Sequence, residues 1–159
     1  MTAELRTFID IDATPERVWQ VLTDLPAYAE WNPFIAEASG TLAVGERLLM
    51  RAPPVNALVE PQLRPTVMEV VPFRRLRLRS RLIRPAIPGL FDVELTMTIT
   101  EEDGGVRLWQ QDRFSGLLAP LLIRSLNRHR LRAFTAMNTA LKRRVEEMPA
   151  PSVADDESP

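Results

Sequence analysis

Leu5-Arg6-Thr7-Phe8-Ile9-Asp10-Ile11-Asp12-Ala13-Thr14-Pro15-Glu16-Arg17-Val18-Trp19-Gln20-Val21-Leu22 changes its hydrophobic period half way along, and the fold follows from that change. Residues 5–12 alternate apolar and polar with β-branched members, the two-residue period of a half-buried strand. At Thr14 the period lengthens. Thr14 can cap a helix, Pro15 suits its first turn, Glu16 favours its positive end, and Val18, Trp19 and Leu22 recur at helical spacing. Leu25-Pro26 stops this helix. Ala27-Tyr28-Ala29-Glu30-Trp31-Asn32-Pro33-Phe34 then predicts a second short helix or turn, because a residue before proline is pushed out of the helical region.

Further along, residues 37–41, 47–52, 66–71, 75–83, 91–101 and 106–114 read as strands. Ala43-Val44-Gly45-Glu46 and Asp103-Gly104-Gly105 read as turns and Pro53-Pro54 as a break. Strand after strand with no helix between predicts antiparallel pairing. Residues 84–90 hold two prolines and a glycine, are apolar for a loop, and are expected to fold over something. One long helix is predicted over about 117–148, with Pro120 in its first turn and Pro149 as its stop. Residues 149–159 carry three prolines, three acids and little apolar bulk, so a disordered acidic tail is expected after a single domain over 1–148.

Composition narrows the chemistry. The 159 residues suit one ordinary domain with a sizeable core. With no cysteine and one histidine, His129, the chain cannot build Cys-His zinc sites, iron–sulfur clusters or multi-histidine centres, and no metal and no cofactor are expected. Arginine outnumbers lysine 19 to one, and Lys142 alone is a poor Schiff-base candidate. The net charge of −1 hides an asymmetry: residues 1–72 carry net −5, 73–148 net +7 and 149–159 net −3. The first residues form no secretory signal, and the longest apolar run, 117–123, is far short of a membrane span of about 20 residues, so a cytoplasmic location is expected.

Two faces look unusual. At about 100° per residue, Ile123, Asn127, Arg130, Leu131, Met137, Asn138, Leu141, Val145 and Met148 share the face of Phe134 to within about 60°. This stripe would lie along the sheet, yet it holds two asparagines and an arginine. Either the helix lids a cavity and offers Asn127, Arg130 and Asn138 to a ligand, or these residues sit at the stripe edge with Arg130 snorkelling. In the last strand Val106, Leu108, Gln110, Asp112 and Phe114 share one face, polar towards its middle. If that face is inward, Asp112 is a partner for Arg130, a ligand-binding or acid/base carboxylate, or part of a structural ion pair. The other strands supply Leu48 and Met50; Leu76, Leu78 and Leu82; and Phe91, Val93, Leu95, Met97 and Ile99.

Strand, two short helices, a run of antiparallel strands and a long C-terminal helix resembles the helix-grip fold of the START-related SRPBCC superfamily, which includes birch-pollen-allergen-like and polyketide cyclase/dehydrase-like proteins. The resemblance covers about residues 4–148 and rests on residues 13–24, on Tyr28-Ala29-Glu30-Trp31-Asn32-Pro33-Phe34, and on Phe114-Ser115-Gly116-Leu117-Leu118 leading to Phe134, Met137-Asn138 and Ala140-Leu141-Lys142. It implies an α+β fold with a hydrophobic cavity between a curved antiparallel sheet and the long helix. Relatives with Rieske-type iron do not fit a chain with one histidine and no cysteine.

Three functions compete. The first is a binding module for a small hydrophobic ligand of lipid, polyketide or aromatic type, contacted by Met50, Leu78, Leu95, Met97, Leu108, Phe134 and Leu141 and oriented by Gln110, Asp112, Asn127, Arg130 or Asn138. The second is a cyclase, aromatase or dehydratase acting on a polyketide-like substrate, with Asp112, Arg130 or Tyr28 moving protons or stabilising an enolate. The third is an arginine-rich surface for nucleic acid or anionic membrane, using Arg75, Arg77, Arg79 and Arg81 on one strand and Arg124, Arg128, Arg132, Arg143 and Arg144 on the helix. Against it, Asp92 and Glu94 on the adjoining strand can pair with the strand arginines, and Trp109 alone offers base stacking, so no nucleic-acid partner is expected. His129 is expected at the surface.

Overall fold

The computed structural model describes residues 3–52, 62–81 and 87–149. The Pro53-Pro54 break, Leu82, the first residues of the 84–90 loop and the tail from residue 150 on lie outside the described residues.

The period change at Thr14 is a strand-to-helix junction: β1 (Ala3–Ile11) runs into α1 (Pro15–Thr23), and the Thr14 hydroxyl accepts from the Arg17 N–H at 3.4 Å. A single 3-10 turn (Leu25–Ala27) leads into α2 (Tyr28–Trp31). Asn32 is extended, with ψ 113, as a residue before proline must be, and its Oδ1 accepts from the Phe34 and Ile35 N–H groups, each at 2.9 Å. The remaining elements are β2 (Glu37–Ser39), β3 (Leu49–Arg51), β4 (Gln62–Leu63), β5 (Thr66–Val71), β6 (Arg75–Arg81), β7 (Asp92–Glu102), β8 (Gly105–Ser115) and α3 (Ala119–Glu146).

All pairing is antiparallel. Five strands order as β1-β8-β7-β6-β5, and β2-β3-β4 form a second, small sheet. The strand expected over 47–52 divides: Arg47 bridges to Thr66 and Leu48 N–H donates to Pro65 at 2.9 Å, whereas 49–51 belong to β3. One stretch thus serves both sheets and ties them together. Two glycines are forced by close approach. A Cβ on Gly105 would stand 2.3 Å from the Ile11 carbonyl oxygen, and one on Gly116, at φ 112, would stand 2.7 Å from that of Leu90.

α3 packs chiefly on β1, with lesser contact to α1 and β8. Arg17 closes the C-terminal end of the helix by donating to the carbonyls of Val145, at 3.2 Å, and Met148. The exposed edge of β1 is also occupied by this helix: Lys142 donates to the Asp10 carbonyl at 2.8 Å, and Glu146 accepts from the Asp12 N–H at 3.0 Å. An edge so covered cannot readily accept a foreign strand. The helix is turned slightly from the expected setting. Leu126 is buried and Leu131 is 45% exposed, so the buried stripe centres about 20° to the Leu126 side of Phe134, and Leu131 leaves the inner face it was assigned.

The outer face of β6 settles the strand arginines. Arg75 and Arg77 meet Glu69 at 3.6 and 3.9 Å, Arg77 and Arg79 meet Glu94 at 3.5 and 3.1 Å, and Arg81 meets Asp92 at 3.5 Å. They form a paired charge ladder, not a free cationic stripe. His129 is exposed, as expected.

Candidate functional site

Register brings the site together before any side chain is considered. Because directly paired residues point to the same face, two rows cross the inner surface of the sheet. One runs Leu5, Asp112, Leu95, Leu78, Val67 and the other Thr7, Gln110, Met97, Leu76, Val70, each read from β1 through β8, β7 and β6 to β5. Asp112 in the first row, and Thr7 and Gln110 in the second, make the β1–β8 end of the surface polar beneath α3. Aliphatic groups fill the rest.

α3 completes the polar end. Spacing puts Asn127, Arg130, Phe134, Asn138 and Leu141 on the side of α3 turned towards the sheet, and Phe134, Asn138 and Leu141 are buried. Arg130 Nε donates to Asp112 Oδ2, and the guanidinium carbon lies 5.3 Å from the Phe134 ring centre and 6.0 Å from that of Phe114. This is a desolvated ion pair roofed by aromatic rings, with Asp112 at 0% exposure and the arginine side chain at 11%. Burial pushes the Asp112 carboxyl above its ordinary value, against the opposing pull of Arg130. Next along, Gln110 Nε2 donates to Asn138 Oδ1 at 2.7 Å, and Asn138 Nδ2 donates to the Thr7 hydroxyl at 3.3 Å. Thr7 was missing from the expected set, although it shares the inward phase of β1 with Leu5, Ile9 and Ile11.

Hydrogen bonding at this seam is incomplete. Gln110 Oε1, Asp112 Oδ1 and Asn127 Oδ1 are closed off from solvent and have no hydrogen-bond partner among the described residues. Native interiors rarely leave buried acceptors unmet, and here two stand two residues apart on β8 with a third on α3. A second is Leu95. Its neighbours on the inner face, Leu78, Val93, Met97 and Asp112, are between 0 and 3% exposed, yet Leu95 itself is only half-buried. The Leu95 side chain is therefore not sealed by its neighbours, beside the ion pair.

The other expected residues divide by geometry. Leu78, Leu95 and Met97 form the aliphatic floor. Leu108 and Leu141 are at 0% exposure and belong to solid packing under α3. Met50 sits in the small sheet, paired with Ala38 and opposite Leu63. Tyr28 is placed for structure: its hydroxyl donates to the Leu22 carbonyl at 2.7 Å, its ring meets Trp31 edge-on at 5.0 Å, and burial pushes its pKa up. Tyr28→Phe is expected to cost about 1–3 kcal/mol in urea unfolding, the cost of an unmet buried carbonyl, and to leave ligand binding unchanged.

A sheet gripped by one long C-terminal helix, with a polar seam where the two meet, defines the helix-grip class, the SRPBCC superfamily. Within it, this chain belongs to the family described as polyketide cyclase / dehydrase and lipid transport, whose model matches residues 2–146. Solved structures similar to it include the Zhui aromatase/cyclase from a Streptomyces species, at 14% identity and TM-score 0.72, covering 92% of this chain and 94% of that one. Ara h 8.0201 is similar at 12% identity and TM-score 0.69, over 93% and 100% of the two chains. Protein CV1439 from Chromobacterium violaceum is similar at 19% identity and TM-score 0.66, over 91% and 98%. At these identities the likeness is one of fold. No curated protein sequence matches the chain significantly. No helix among the described residues is long and apolar enough to cross a membrane.

Proposed function

We propose that the chain binds a small, largely apolar ligand of lipid, polyketide or aromatic type over the centre of the sheet. The observation that carries this reading is the accessibility of Leu95 in the midst of a buried face. Leu78, Leu95 and Met97 form the floor; Phe134 and Arg130 stand at the side, and Asn127, Gln110, Asp112 and Asn138 supply the polar end that orients the ligand. The unmet oxygens there suit a ligand with hydroxyl donors, reached once the Arg130 side chain shifts. Leu95→Trp adds bulk at that unsealed position, and it is expected to weaken binding of an apolar fluorescent probe at least tenfold, about 1.4 kcal/mol, while thermal unfolding stays near that of the parent. Probe binding that is unchanged by this substitution, or a native mass spectrum with no co-purified ligand and no probe adduct, overturns the reading.

Cyclase- or dehydratase-type chemistry at the same site is the second reading, and one observation favours it. A buried carboxyl held above its ordinary pKa beside an arginine can keep a proton and give it to a developing enolate. Asp112→Asn keeps the hydrogen bond to Arg130 but removes the proton donor, so turnover of a polyketide-type substrate is expected to vanish while binding persists.

A further inference from the structure

The arginines of β6 and α3 differ in their partners, and on α3 itself Arg130 is paired with Asp112 and Arg144 with Glu30 at 2.7 Å. Those on β6 are neutralised by Glu69, Asp92 and Glu94, whereas Arg124, Arg128 and Arg132 on α3 are exposed and make no ion pair among the described residues. From Ala119 to Val145 the helix has no acidic residue at all; Glu146 is its first. The same outward face carries apolar bulk. Leu117 is 80% exposed and Leu121 76%, the highest values among the large apolar residues described, and Leu131 is 45% exposed. Positions 121, 124, 128 and 132 follow one another at steps of three or four along α3, which lays a leucine and three arginines along one line of the surface, with Leu117 in the turn that leads into the helix. The loop before β7 joins the leucine end: Leu117 N–H donates to Gly89 at 3.0 Å, Leu118 N–H to Leu90 at 2.9 Å, and Ile87 there is 51% exposed. The carboxylate bonded to that loop, Asp92, is already engaged by Gly89 N–H at 2.9 Å and by Arg81.

We propose that this face docks on an anionic lipid surface, with Leu117, Leu121 and Ile87 entering the acyl boundary and Arg124, Arg128 and Arg132 meeting lipid phosphates. Charge complementarity selects the occupant: three unneutralised cations want anions, and long arginine stems let the charge reach headgroups while the leucines go deeper. A nucleic acid would leave the leucines unused and find no exposed aromatic on this face for stacking. This inference is independent of what the interior holds. It places the apolar rim of the molecule, at the start of α3, against the membrane from which a sparingly soluble ligand would come.

The test is co-sedimentation of the full chain with vesicles of phosphatidylcholine and phosphatidylglycerol, 7:3, at 50 mM salt, against vesicles of phosphatidylcholine alone. Binding to the anionic vesicles is expected, falling about fivefold for each of Arg124→Gln and Arg128→Gln and at least about 30-fold for Leu117→Asp with Leu121→Asp. All four positions are exposed, and a parent-like circular dichroism melt confirms that each variant is folded. Absence of binding to anionic vesicles overturns the proposal. So does binding that the leucine pair leaves untouched, which moves the contact to another face. A dimer that dissociates on Leu117→Asp with Leu121→Asp, in a chain that ignores vesicles, overturns it in favour of a second copy as the occupant.

Discussion

Arg130→Ala is expected to lower the unfolding free energy by about 3–5 kcal/mol, because it leaves the Asp112 charge buried with its counter-ion gone. Urea titration at pH 7 measures it. The loss must depend on pH in a defined sense. Asp112 titrates above its ordinary value of 3.8 in the folded chain, so the native state holds its proton more tightly than the unfolded one. Its contribution is therefore complete below the unfolded pKa and is lost as pH rises through the folded pKa. Without Arg130 the carboxyl rises further, and the gap between parent and variant is expected to be smallest near pH 4 and to widen towards pH 8. Asp112→Leu with Arg130→Met removes both charges and is expected to recover most of the loss, since apolar replacement of a buried pair is commonly neutral or better. If Arg130→Ala costs under about 1 kcal/mol, the pair behaves as a solvated surface bridge and the buried site is wrong.

The second large effect belongs to Phe114. Its ring is at 0% exposure, stacked near-parallel on Phe91 at 6.0 Å with the Arg130 guanidinium above it. Phe114→Ala is expected to cost about 3–5 kcal/mol, as lost transfer energy plus a cavity that a sheet interior cannot collapse to fill. The measurement is urea unfolding with an unchanged m-value. Phe114 and Arg130 touch, so their combined substitution is expected to cost less than the two separate losses added together.

Much of this architecture was readable from local pattern. The alternation of residues 5–11 and 106–114 announced both strands but left two settings for the second, and the structure has the one in which Gln110 and Asp112 face inward. The pairing of Asp112 with Arg130 was one of several readings open on that setting, and it is the one the structure has. Register was not readable. It places Thr7 opposite Gln110, and no property of Thr7 alone distinguishes it from a surface threonine. The setting of α3 was off by about 20°, because the helix rolls to fit β1 and α1 and the wheel knows only its own residues. Tyr28 looked chemical from its type; its hydroxyl is consumed by a backbone carbonyl six residues earlier, a contact that depends on how the chain turns after α1. Counting arginines could not tell the paired ladder of β6, or Arg130 and Arg144 of α3, from the exposed Arg124, Arg128 and Arg132, since that division depends on which neighbours carry acids.

The pairing of β1 with β8 bears on how the chain is made. β1 leaves the ribosome well before its sheet partner, which lies roughly 100 residues downstream, and at about 5–20 residues per second it waits on the order of 5–20 s for that partner to be synthesised. The helix whose Lys142 and Glu146 cover its other edge emerges later still. During that interval both edges of β1 are open and the half-exposed Phe8 has no Trp109 beside it. Assembly of the sheet therefore waits until β8 has been made, and a product stalled or released before it exposes the segment most able to recruit a neighbouring nascent chain.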